Sequence, residues 1–458
     1  MKRTTKQSFG ITITLVTLGV LLVDFALFWC WYGGWVNYDT FVQWNQVQDG
    51  AYTNWHPFVH TFLMMKVPSL IWNDYRVTVL WQILFASGVF GYVGATCLRC
   101  GFSKKATAVV LACVLLHPQT LFFLMSPLKD SAFALAVLMA TAALVRIVRT
   151  QGDALMCRSV WMPLAVGLAL AMLFRHNGVF FSGTALLLLL ALYLRRWARP
   201  VLFCLTVTAL LYGGLRWGLG GVMKVQPASQ HMKQYVFIES AGLPLTLMGA
   251  VYVRHPDEVS PAARQIFDSI RPQEIWQKHY QDGSFNVVKH EGVSQLSEEM
   301  VSRVHFEGWG PFFRVCWQTL SLDPGAAATA FVRLTDQVWS PLGGVHEESL
   351  RFPLRKIGLK GDLTIWLKIL QVIAIPLLGV CACVTWCLVG MLIWAVWRRK
   401  WSMLLLALPV LCYNFGTMCF LSGFNMARLF FCNVFVAGLL VLCWRARNRS
   451  SRTDENMV

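Results

Sequence analysis

Apolar residues gather along this chain in long runs, and polar residues are confined to short breaks and one long interruption. After a basic start, Met1–Gln7, residues 10–32 are apolar except for Asp24 and end in the aromatic belt Phe28-Trp29-Cys30-Trp31-Tyr32. Further runs cover 77–97, 106–124, 131–148, 160–174, 179–194, 200–217, part of 364–397, 402–421 and 429–444. A helix needs about 20 apolar residues to cross hydrocarbon, so the pattern predicts an all-α polytopic membrane protein of about ten transmembrane helices. Residues 57–72 are apolar over only about 16 positions and contain Lys66 and Pro68, which predicts a re-entrant or interfacial helix on the outer side. The interruption at 218–363 is punctuated by prolines and holds an amphipathic stretch, Asp257 to Ile270. It is too long for a passive loop and predicts a mainly helical domain. The expected organisation is a transmembrane module at 1–217 with its first outer loop at 33–76, an extracytoplasmic domain at 218–363, and a second transmembrane module at 364–458.

Composition agrees with this pattern. Of 458 residues, 56% are hydrophobic and 14% charged, where a soluble domain carries about a quarter charged. The net charge of +17 does not mark a nucleic-acid binder, because segment 218–363 holds 14 Lys/Arg against 15 Asp/Glu. The excess lies instead at run ends: Lys2, Arg3, Lys6; Arg99, Lys104, Lys105; Arg146, Arg149, Arg158; Arg195, Arg196, Arg199; Arg398, Arg399, Lys400; and Arg445 onward. That alternation is the positive-inside pattern. It predicts a multi-pass plasma-membrane protein with both termini cytoplasmic and loop 218–363 extracytoplasmic. Membrane lipids are then expected partners, and nucleic acid is not. Cysteine is placed mostly within or beside apolar runs, as packing residues. The single Cys97-Leu98-Arg99-Cys100 motif lacks the second pair or histidine that a zinc site needs.

Charge near hydrocarbon is costly unless used, so the few charged residues at the charge-poor ends are candidates for chemistry. Asp39 follows the first aromatic belt. It suits a general base for an acceptor hydroxyl, or an N-cap for a short helix over Thr40–Val47. Asp49 precedes Gly50 and reads as a turn residue. His56 and His60 are four apart, on one helix face, fit to hydrogen-bond a substrate, to pack, or to share a metal. Lys129 and Arg175 sit in turns between short runs, where fixed cations would meet a phosphate leaving group; the alternatives are snorkelling, or an ion pair of Lys129 with Asp130. Asn177-Gly178 after Arg175-His176 predicts a tight turn fixing those two side chains, and Arg428 is a further cation candidate. Most tryptophans read as interfacial or packing residues, with Trp44 and Trp55 candidates for lining a sugar or lipid groove.

The layout resembles GT-C-type integral membrane glycosyltransferases: a first span, an outer loop with an acidic residue, an interfacial helix, many spans and a sizeable outer domain. More narrowly, Tyr38-Asp39-Thr40 with Gln43, then Asn54-Trp55-His56-Pro57 and His60-Thr61, looks like a bacterial family of uncharacterised GT-C-like membrane proteins. Leu128-Lys129-Asp130 and Arg175-His176-Asn177-Gly178 look like its other signatures. The resemblance covers roughly residues 10–200.

It implies a sugar donor on a polyprenyl phosphate and a cell-envelope glycan or lipid acceptor. Asp39 would be the catalytic base, and His56, His60, Lys129, Arg175, His176, Asn177, Arg428, Gln43 and Trp55 would contact substrate. Relatives often carry paired acids where this chain has Asp39-Thr40, so no cofactor is fixed and a divalent metal stays open. The alternatives are a transporter or flippase of lipid-linked glycans and a non-enzymatic envelope assembly protein.

Overall fold

The computed structural model describes residues 2–30, 34, 36–226, 233–280, 283–292, 297–340, 380–423 and 427–440. Lys368, the stretch 364–379 and the basic tail from Arg445 lie outside the described residues. The described residues are helical with turns and isolated bridges, and contain no strand. They fall into two compact units: Met1–Val225 with Phe352–Asn414 and Arg428–Val458, and Gln226–Arg351 with Phe415–Ala427.

Six helices in the described residues are long and apolar enough to cross a membrane: Ile11–Trp29, Tyr75–Arg99, Lys129–Arg149, Gly178–Val222, Val380–Trp397 and Trp401–Met418. Arg158–Phe174 and Arg428–Leu440 are apolar but shorter. The chain is thus an all-α membrane protein. Gly178–Val222 runs 45 residues, about twice what one crossing needs. Its backbone leaves helical angles at Trp197 (φ −128°, ψ 41°), three residues before Pro200, which can neither donate a backbone bond nor fit the preceding turn. The expected span 106–124 is not one helix. It breaks into Lys104–Leu115 and Pro118–Leu124, because Pro118 has no N–H to continue the ladder and His117 caps the second piece through Nδ1 to the Gln119 amide, 3.3 Å.

The stretch expected to be interfacial forms a short helix in three pieces: Phe58–His60, a π-helical turn Thr61–Lys66, and Val67–Ser69. One side is buried through Phe58, Val59, Met64 and Met65, and the chain then exposes Leu70, Ile71 and Trp72. At about 1.5 Å per residue this helix is far too short to cross hydrocarbon.

The second unit is built around Gly242–Arg254, which packs against Trp309–Leu322 and Pro324–Leu334. Tyr252 stacks on Phe267 at 4.2 Å, and the fully buried Trp276 stacks on Phe285 at 5.7 Å. The Trp276 indole donates to the carbonyls of Phe267 and Arg271 at 3.2 and 3.1 Å, so its one polar atom is satisfied in the core. The amphipathic stretch begins as helix at Pro261, since Ser260 caps the Ala263 amide and Pro261 occupies the first turn. Residues 257–259 lie before it in a turn.

Candidate functional site: a carboxylate between two cations

The site starts with the helix Tyr38–Asp49. Its N-cap is Asn37, whose Oδ1 accepts from the Thr40 amide at 2.8 Å while Thr40 Oγ1 accepts from the Asn37 amide at 3.0 Å. This reciprocal capping box satisfies two amides that the helix would otherwise leave open. Asp39 is therefore not the cap, contrary to one of its two expected roles. It sits in the first turn with its side chain directed elsewhere. Asp49 closes the helix, and Gly50 follows in the left-handed region at φ 68°, as a turn there requires.

Asp39 Oδ2 accepts from Lys129 Nζ at 2.9 Å and from Arg428 Nη1 at 2.9 Å. Lys129 Nζ also donates to His56 Nδ1 at 2.8 Å. Four segments far apart in sequence thus meet in one hydrogen-bonded cluster. The side chains of Asp39, Lys129 and Arg428 keep 17%, 15% and 31% of their exposure, so the cluster is sheltered yet open to a ligand.

Burial alone would raise the Asp39 pKa, but the charges of Arg428 and Lys129 outweigh it and hold the carboxyl well below its usual range. Burial, with the charge of Lys129 beside it, pushes His56 down to about 3. The ring is neutral at neutral pH. An ammonium group can only donate, so Nδ1 is the acceptor and the ring proton sits on Nε2.

Lys129 opens its helix from a turn that is closely held. Gln82 Nε2 approaches the carbonyls of Phe123, Leu124 and Ser126 at 3.1, 2.9 and 2.5 Å, and Ser131 Oγ donates to the Phe123 carbonyl at 2.7 Å. Arg428 lies in the 3-10 turn Ala427–Phe430, whose Leu429 carbonyl accepts from the Tyr413 hydroxyl at 2.5 Å. The alternative ion pair of Lys129 with Asp130 does not form. Adjacent helical residues point about 100° apart; Asp130 turns the other way and pairs with Arg175, while Lys129 takes Asp39.

Arg175 is held by Asp130 on one side and by Asn177 Oδ1 on the other, 2.9 Å from Nε. Among the described residues no hydrogen bond or ion pair joins it to Asp39. One turn along from Asp39, Gln43 Nε2 donates to Thr61 Oγ1 at 2.8 Å and to His60 Nδ1 at 3.1 Å. His60 is fully buried against the ring of Phe174, 5.5 Å away, and burial pushes it to about 3. Gln43 Oε1 is buried with no hydrogen-bond partner in the described residues. The rings of Trp55 and His56 meet edge to face at 6.4 Å, whereas Trp44 packs edge to face on Tyr75 at 5.9 Å.

His176 lies off the cluster, at the rim of a crevice of about 60 Å³ between Phe58 and Val59 on one side and Leu173 and Val179 on the other. Arg216 stands at the same rim and donates to Asn54 Oδ1 at 2.5 Å. Sequence reasoning gave Arg216 no role. The available signal is the scarcity of charge: Arg216 is one of the few charged residues at a charge-poor run end, and it lies in a glycine-rich stretch.

The geometry does not fit a divalent metal at Asp39. Its neighbours are two cations and a neutral imidazole already accepting from one of them. No group of three His, Cys, Asp or Glu side chains gathers to hold a metal in the described residues.

Fold and site together define an all-α membrane protein that gathers a carboxylate, two cations and a neutral imidazole around helix ends. The chain belongs to DUF6020, a family of unknown function, whose model matches residues 48–334. That range includes His56, His60, Lys129 and Arg175, and leaves Asp39, Gln43 and Arg428 outside it. No curated protein and no solved structure matches the chain.

Proposed function

We propose that this protein is a GT-C-type membrane glycosyltransferase, moving a sugar from a polyprenyl-phosphate donor to a cell-envelope glycan or lipid on the extracytoplasmic face. The observation that carries the reading is the meeting of Asp39, Lys129, Arg428 and His56. In the transfer, the acceptor oxygen attacks the anomeric carbon and the bond from that carbon to the phosphate oxygen breaks. The electron pair leaves with the phosphate. Lys129 and Arg428 meet the negative charge that grows there, the kind of fixed donors that act most strongly in a sheltered site. The hydroxyl proton passes to Asp39. Arg175, fixed by Asp130 and Asn177, adds positive potential behind Lys129.

The same reading places about ten crossings in the chain, with Gly178–Val222 supplying two through its break at Trp197. It puts both termini in the cytoplasm, the 218–363 domain outside, and the 58–69 helix in the outer interface, where exposed Leu70, Ile71 and Trp72 would enter the headgroup layer.

The test is an assay of purified protein with a panel of polyprenyl-phosphate sugars and envelope acceptors, reading donor consumption and lipid phosphate release. Consumption of one donor is expected, with loss in folded Asp39→Asn. Folded wild-type protein that consumes none of them, or full transfer by Asp39→Asn, would overturn the reading.

A further inference from the structure

The two cations that a donor phosphate needs are not free at rest. Both converge on a single oxygen, Asp39 Oδ2, at 2.9 Å each. The other polar neighbour of Lys129 is neutral His56, and Asp130 is taken up by Arg175. Among these described residues Lys129, Arg428 and Arg175 carry three positive charges against two negative ones, Asp39 and Asp130. The cluster is one positive charge in surplus, the complement of a phosphodiester monoanion. The geometry of the resting bonds matches what a phosphate oxygen would accept: two charge-assisted N–H···O contacts from different directions onto one atom. Asp39 is also free to leave. It does no capping, since Asn37 and Thr40 do that, and its side chain keeps 17% of its exposure.

We propose that Asp39 is an internal stand-in for the substrate's phosphate, and that a lipid phosphate binds by taking Lys129 and Arg428 from it. This rests on the phosphate-handling reading above and adds an order of events to it. A carboxylate pinned by two cations is a poor proton acceptor. Once a phosphate oxygen replaces Oδ2, the carboxylate turns to the incoming hydroxyl. The base is therefore switched on by donor binding, and acceptor deprotonation follows donor seating. The exchange breaks no covalent bond and leaves the charge count at Lys129 and Arg428 satisfied before and after.

The test is equilibrium binding of farnesyl methyl phosphate, a short-chain phosphodiester, to full-length protein in detergent, followed by titration calorimetry. Removing a competing anion should tighten the complex, so Asp39→Asn, which gives up both charge-assisted bonds to the cations, is expected to bind at least about tenfold more tightly than wild type. Asp39→Glu keeps a competing anion and is expected to bind like wild type, while Lys129→Ala and Arg428→Ala lose most binding. Equal or weaker binding by Asp39→Asn, or no binding by any form, overturns the proposal. Where Asp39→Asn does not fold, wild type answers alone through a zero-length carbodiimide cross-link between Asp39 and Lys129, read by mass spectrometry. Saturating probe should suppress that cross-link, and its persistence overturns the proposal. The two readings fail separately. Tighter binding by Asp39→Asn with no sugar transfer from any donor removes the transferase and leaves the exchange. Transfer without any gain in binding removes the exchange alone.

Discussion

Lys129 and Asp39 stand 90 residues apart in the chain, and the ammonium meets the carboxylate at 2.9 Å. Arg428, a further 299 residues beyond Lys129, reaches the same oxygen from the other end of the sequence. Groups that share one ligand act as a unit, and their losses do not add. Lys129→Ala and Arg428→Ala are each expected to lower kcat/KM about 10²-fold, the usual loss of one donor to a developing anion. The double variant is expected to lose clearly less than 10⁴-fold. A steady-state double-mutant cycle measures this, and strict additivity would mean that the two cations serve different steps.

Asp130 and Arg175 form the structural pair of the site. Asp130 is 1% exposed and the Arg175 side chain 11%. Removing one partner leaves the other buried and uncompensated, which costs about 3–5 kcal/mol. Asp130→Asn is expected to lower the melting temperature strongly, and Asp130→Asn with Arg175→Met to recover part of the loss. Thermal melts in detergent decide this; no recovery in the double variant would show that Arg175 matters for something other than Asp130.

The buried histidines set the acid side of stability. His56 and His60 hold pKa values near 3 in the folded protein, against 6.5 for an ordinary histidine. Below about pH 6.5 the unfolded chain takes up protons that the folded one refuses. Stability therefore falls as pH drops from 6.5 toward 3, by about 1.4 kcal/mol per pH unit for each ring. Asp39 acts lower down: its stabilisation is present above the ordinary carboxyl value of 3.8 and is lost only as pH falls through its depressed one. Melting curves between pH 8 and pH 4.5 should show the decline, and His56→Gln should flatten it.

Arg216 holds Asn54, two residues before His56. It touches none of Asp39, Lys129 or Arg428 in the described hydrogen bonds. Arg216→Ala is therefore expected to raise KM for a lipid-phosphate donor several-fold with kcat little changed, through a loosened 54–56 segment. A fall in kcat with unchanged KM would place Arg216 at the reacting centre instead.

The charged residues of the site were legible because charge is scarce in this chain. Asp39, Lys129, Arg175 and Arg428 stand out against long apolar runs, and the histidines flank Pro57 in a short aromatic stretch. Their partners were not legible. Lys129 next to Asp130 looks like a pair in sequence, yet consecutive helical side chains diverge, and each finds its mate across the fold. Asp39 reads as a cap until Asn37 and Thr40 are seen to close the box themselves. The run 106–124 is uniform enough to pass for one span, and only the backbone shows that Pro118 divides it. The second unit, whose core mixes aromatic and aliphatic side chains drawn from many short helices, left only the stretch near Pro261 as a local sign of its helices.

The capping box at Asn37 and Thr40 makes the charge at position 39 separable from the scaffold that presents it. Asn37→Ala should cost about 0.5–2 kcal/mol and fray the helix start, detectable as a lower melting point with Asp39 intact. Asp39→Asn removes the charge and leaves that helix start in place. Architecture and chemistry are assigned to neighbouring residues on the same turn, so each can be altered while the other is watched.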